Sequence, residues 1–236
     1  MDSNKKIKQF LELLILFVGM PALLLVPIHS GIKVVIILIA VAYAIHISLK
    51  HKIVKRKELY SIPKHPNWKI IALRTALLIG LTVAFMYFYH PDDIFIVARK
   101  NVGMLIGISL FYSIFSVYPQ EFLYRSFFYA RYETLFTHKS MMILTNAILF
   151  SFAHIVFLNT LVLVLTFVGG IVFSLTYIRT KSVMFTSIEH AIYGCWLFAV
   201  GMGEMLAFPM PNKPKGFALY HLDFSLATQP KFRWLT

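Results

Sequence analysis

The chain is short of charge and nearly without cysteine. Charged residues fill only 14% of its 236 positions, where soluble domains average about a quarter. That scarcity excludes a disordered segment or an ordinary cytosolic enzyme. The single cysteine, Cys195, lies inside an apolar run. One cysteine can form no intramolecular disulfide and no Cys-based metal site. Acidic residues number ten against 23 Lys and Arg. There is no internal repeat, no low-complexity segment and no His-Glu-x-x-His pair, so a zincin of the soluble type is excluded. The apolar stretch that follows Lys5, Lys6 and Lys8 lacks a small-x-small cleavage site, so it is expected to be retained as a first span.

What is present is apolar sequence. Hydrophobic residues make up 58% of the chain and the mean hydropathy is +0.72. Crossing a hydrocarbon core of ~30 Å takes ~20 apolar residues in an α-helix. About seven segments qualify: 10–28, 33–49, 70–89, 102–132, 141–157, 158–178 and 183–202. The fold class read from this pattern is all-α, a polytopic transmembrane helical bundle. The segment 102–132 is too long for one straight span, and Pro119 within it is expected to kink it.

The net charge of +13 would suggest nucleic acid in a soluble protein. Here the basic residues cluster between spans, so no nucleic acid partner is implied and the partner is the lipid bilayer. Fourteen Lys and Arg fall in the N-terminus, the 50–69 loop and the connections near Arg131/Lys139 and Arg179/Lys181. Their excess predicts that side to be cytoplasmic, with the C-terminus outside after seven spans. Three regions follow: a three-span part over 1–101 with its basic loop at 50–69, a four-helix part over 102–207, and a tail over 208–236. The tail opens on the linker-like FPMPNKPKG. Aromatic clusters such as Phe127-Phe128-Tyr129 and Phe85 through Tyr89 are assigned mostly to the interfacial belt. Gly169-Gly170 is read as a close helix contact.

Ionisable residues at membrane depth are costly and mark candidate sites. Glu12 and Arg74 lie near span ends and are expected to snorkel to the interface. Near mid-depth stand Glu121, Arg125, His154 and His190, with Glu189 beside the last. Glu121 and Arg125, four apart, share one helical face and suit an intrahelical ion pair. Asn146, Phe150 and His154 follow at four-residue steps on the next span. His190 has Gly194 one turn later on the last. Counted from the nearest basic flank at ~1.5 Å per residue, Glu121, His154 and His190 lie roughly 15, 22 and 13 Å deep, close enough for tilt to bring them to one layer.

A carboxylate and two imidazoles in a pocket of low dielectric suit water activation. The same three, Glu121, His154 and His190, could instead ligate a divalent metal such as zinc with one position open.

The motifs Gln120-Glu121-x-x-x-Arg125, Phe150-x-x-x-His154 and His190-x-x-x-Gly194 resemble those of the CAAX protease and bacteriocin-processing (CPBP, Abi) intramembrane endopeptidases. That family's pattern is Glu-Glu-x-x-x-Arg, Phe-x-x-x-His and His-x-x-x-Asn/Asp. The resemblance covers about residues 104–203 and implies a four-helix catalytic core. It implies hydrolysis of a peptide bond in a membrane-associated or lipidated protein or peptide substrate, by water activated through glutamate and histidine. Glu121 is then the candidate base, Gln120, His154 and His190 position water and substrate, and Arg125 holds Glu121. Phe150, Asn146, Glu189 and Gly194 are assigned to substrate or supporting roles, and whether a metal takes part stays open.

Two positions depart from the pattern. Gln120 stands where the family has its first Glu, and a neutral amide accepts no proton at neutral pH. Gly194 lacks the side-chain donor of Asn or Asp. Three other readings stand beside the enzyme: a non-catalytic scaffold or immunity protein, a transporter, and a haem protein using His154 and His190.

Overall fold

The computed structural model describes residues 3–206, and the expected tail at 208–236 lies outside them. Among the described residues there is no strand. Six helices are long and apolar enough to cross a membrane, Ser30–His51 (α2), Trp68–Tyr89 (α3), Val102–Leu135 (α4), Lys139–Phe157 (α5), Thr160–Thr180 (α6) and Val183–Val200 (α7). With the apolar composition they make this an integral membrane protein.

The first expected span is displaced toward the N-terminus. Its helix, α1, runs over 3–23 without a break, and its leading half carries Lys5, Lys6, Lys8 and Glu12. It ends short of Pro27, whose ring and missing N–H oppose continuation. It still travels the length of the bundle. Gln9 and Glu12 bind Arg131 at the end of α4, while Met20–Leu23 packs on the turn Ile155–Phe157 that closes α5.

Polar residues at the boundaries set where the helices start. Asn67, Asn101, Asn159 and Ser182 each accept a backbone N–H of the first turn of α3, α4, α6 and α7, satisfying donors that lipid could not. The short helix Arg56–Tyr60 in the basic loop folds onto the same end. Its Glu58 accepts from Tyr177 Oη at 2.8 Å, and the backbone carbonyl of Leu59 accepts from Tyr118 Oη at 3.2 Å.

Pro119 is accommodated without ending the helix. Two widened π-helical stretches, Tyr112–Val117 and Phe122–Phe127, flank the Tyr118–Glu121 segment that contains it, so the helix continues with its hydrogen bonding re-spaced. This re-spacing sets the directions in which Tyr112, Glu121 and Arg125 project.

The outer surface is apolar, as lipid contact requires. Leu73, Leu77, Leu81, Ile106, Leu110 and Ile114 are all exposed. Phe88 and its neighbours Tyr87 and Tyr89 are exposed too, but Phe127, Phe128 and Tyr129 are buried. The belt assignment therefore fails for the second cluster. Phe17 of α1 lies at its centre, edge-on to Tyr124, Phe128 and Tyr132 at 5.0, 5.4 and 5.9 Å. Such T-shaped pairs add to the area they bury.

Helices α5 and α6 form the tightest contact. A Cβ built on Gly170 would come within 2.8 Å of Ala147 Cα, so a larger residue would drive the backbones apart. Gly170→Leu is expected to destabilise the bundle by about 1–3 kcal/mol, read as a lower midpoint of thermal unfolding in detergent.

Candidate active site

Helix α7 packs against α3, α4 and α6, and a polar cluster sits where they meet α5. Glu121 of α4 is fully buried, and its Oε1 is 2.8 Å from His190 Nδ1 of α7. Its Oε2 is 3.1 Å from Arg125 Nε, one turn along the same helix. The expected ion pair is present as a charge contact, in which Oε2 and Nε lack hydrogen-bond geometry. A neutral His190 that donates Nδ1–H to this carboxylate has Nε2 as its acceptor nitrogen. That nitrogen is 3.0 Å from Tyr112 Oη of α4.

Arg125 is buried as deeply as Glu121. Its Nη1 donates to Asn146 Oδ1 of α5. Asn146 in turn donates to the carbonyl of Tyr124 at 2.7 Å and accepts from Ser174 Oγ of α6 at 3.0 Å. The guanidinium also lies over the Phe150 ring, 4.9 Å from its centroid, a favourable cation–π position. Asn146 and Phe150 are thus the walls that hold Arg125.

His154 closes the end of α5. Its Nδ1 is 2.7 Å from the carbonyl oxygen of Phe150; donation there leaves Nε2 as an acceptor. The Phe150 ring separates the two imidazoles, 4.9 Å from His154 and 5.7 Å from His190. On its other side His190 stacks on Phe173 at 4.5 Å. The structure therefore gathers Glu121, Arg125, Asn146, Phe150, His154 and His190 around one ring.

Gln120 and Glu189 stand apart from this group. Gln120 donates to Ser116 Oγ at 2.8 Å, and among the described residues its Oε1 is buried without a hydrogen-bond partner. Glu189 points away from the neighbouring His190, because successive residues on a helix project about 100° apart. Its Oε1 is 2.8 Å from Arg74 Nη1 of α3 and accepts from Tyr193 Oη at 2.8 Å. Arg74 also donates to Thr176 Oγ1 at 3.1 Å. Arg74 does not snorkel; it crosses to a buried carboxylate. Glu12 also departs from the snorkelling expectation, with a two-point contact to Arg131 at 2.9 and 2.6 Å. Glu189→Gln is accordingly expected to lower thermal stability in detergent, since the loss falls on a structural pair.

The zinc set fits poorly. Among the described residues no three His, Cys, Asp or Glu side chains are grouped to hold a metal ion. Glu121 already binds a guanidinium and an imidazole N–H, and the nearby Arg125 charge opposes a cation. No step is assigned to a metal here.

Tyr112 had no motif to announce it. It is one of 12 tyrosines and reaches His190 from 78 residues earlier in the chain. Ser174 was missed, and Arg74 was placed at the interface, for the same reason: their partners lie on other helices.

Residues 102–196 match the family model described as Type II CAAX prenyl endopeptidase Rce1-like. The matched stretch begins at the start of α4 and holds Glu121, Arg125, His154 and His190. It agrees with the family resemblance carried by the three motifs. No curated protein and no solved structure matches the chain.

Proposed function

We propose that this protein is an intramembrane endopeptidase that hydrolyses a peptide bond of a membrane-associated or lipidated substrate. One observation carries the reading: a carboxylate–imidazole hydrogen bond of 2.8 Å between Glu121 and His190, buried among apolar spans and neutralised by Arg125. A buried charge is expensive, and this one is held against an imidazole as well as a guanidinium. A proton taken up at His190 Nε2 makes an imidazolium that the Glu121 carboxylate stabilises from Nδ1, the logic of a carboxylate-oriented histidine base.

In this reading the Glu121–His190 pair is the base unit. Water loses a proton toward His190 and its oxygen adds to the scissile carbonyl carbon. The tetrahedral intermediate then expels the amine, which takes the proton back from the imidazolium. His154, with Nε2 free to accept, orients the second hydrogen of the water. Gln120 is close enough in sequence to offer its amide to the substrate, and its orphaned Oε1 suits a group that completes its bonding when peptide arrives. The excess of Lys and Arg supports a cytoplasmic N-terminus and 50–69 loop, and a count of seven spans would put the C-terminus outside.

The test compares newly exposed peptide termini in host membranes carrying wild type, Glu121→Gln or a deletion, with protein levels matched. Termini present in the wild type and absent from both other strains are the expected result. Unchanged termini would favour a non-catalytic scaffold, the second reading, to which the Gln120 substitution at the first motif position gives weight.

A further inference from the structure

Glycine at 194 removes a side chain from the helix face that carries His190, yet the space is filled. A Cβ at this position would overlap the phenol ring and hydroxyl of Tyr112. Any residue other than glycine there would have to displace Tyr112 from His190. Tyr112 is also held on its far side, edge-on to Phe198 at 4.9 Å, and stands at the start of a π-helical stretch that turns it toward α7. Three independent features thus converge on one contact, the 3.0 Å hydrogen bond from Tyr112 Oη to His190 Nε2.

We infer that Tyr112 is a catalytic residue that relays the proton between the attacking water and His190, and that Gly194 is glycine in order to admit it. This deepens the proposed hydrolysis and rests on it. His190 Nε2 has one lone pair, and the Tyr112 hydroxyl occupies it. A water that adds to a peptide carbonyl gives its proton to Tyr112 Oη as Tyr112 gives its own to Nε2, so the phenol is neutral before and after. The imidazolium formed is held by Glu121 at Nδ1. The reverse transfer returns a proton through the same hydroxyl to the departing amine, leaving no net change on the protein. A side chain at 194 and a tyrosine at 112 are alternatives for one volume.

The test uses the full-length protein in proteoliposomes and, as probe, a synthetic peptide spanning the cut site found in host membranes. Tyr112→Phe keeps the ring and loses only the hydroxyl. It is expected to lower kcat on the order of 10–100-fold with KM changed less than about twofold. The dependence of kcat on deuterium fraction is expected to pass from bowed, for two protons in flight, to linear. Gly194→Asn alone should cut activity and thermal stability. In a Tyr112→Ala background the same change should raise activity, because the amide enters the vacated space. Full activity of Tyr112→Phe, or equal harm from Gly194→Asn in both backgrounds, would overturn the relay while leaving the peptidase reading intact. A wild type that cuts nothing would sink both.

Discussion

Glu121→Gln is expected to lower peptide hydrolysis by about 10³–10⁴-fold, the scale on which a histidine base loses its carboxylate partner. The substitution is nearly isosteric. A glutamine oxygen can still accept the His190 Nδ1–H bond, now 2.8 Å long, so the imidazole can keep its place. What disappears is the negative charge that stabilises the imidazolium as the proton arrives. Substrate contacts are untouched, so the loss should fall on kcat rather than KM. The substitution also leaves Arg125 without its counter-ion at 3.1 Å, and some stability will go with it. Activity must therefore be measured at a temperature where the variant is folded. Equal rates for Glu121→Gln and wild type would remove Glu121 from the mechanism.

Arg125→Met should have the largest effect on stability. The arginine is fully buried with its glutamate, and removing one member of such a pair strands the other charge, at a cost of about 3–5 kcal/mol. Methionine is shorter and replaces the aliphatic stem without the guanidinium that lies by Phe150 and Phe173. Asn146 would lose the guanidinium, though it still accepts from Ser174. The double variant Glu121→Gln/Arg125→Met separates the two functions. Stability is expected to recover much of the way, because no charge is left unpaired and contacting residues do not add independently. Activity should stay at the Glu121→Gln level. Recovery of hydrolysis in the double variant would mean that the pair is structural only.

How far the sequence led depends on which direction is asked about. Along each helix it was informative. Apolar length marked the spans, and the four-residue steps put Glu121 with Arg125 and Asn146 with Phe150 and His154. Between helices it was silent. Periodicity tells which face a residue occupies but not which neighbour that face meets. Arg74 and Glu189 are 115 positions apart, and nothing in either span announces the other, so the interface seemed the better home for Arg74. The same gap hid Glu12–Arg131. It also hid the burial of Phe128, whose partner Phe17 arrives from the first helix. Pro119 was legible as a disturbance, but not as one absorbed by two widened turns. The Gly194 departure read as a loss from the motif, because the tyrosine that fills its place comes from another helix.

The most direct measurement is made with purified components. Wild type and Glu121→Gln, each in proteoliposomes, are given membrane proteins extracted from the deletion strain, and new peptide termini are mapped by mass spectrometry. The account predicts discrete termini with wild type that match those made in host membranes and are missing with Glu121→Gln. If both preparations yield the same termini, or if folded wild type yields none, the buried Glu121–His190 pair does not activate water for peptide hydrolysis.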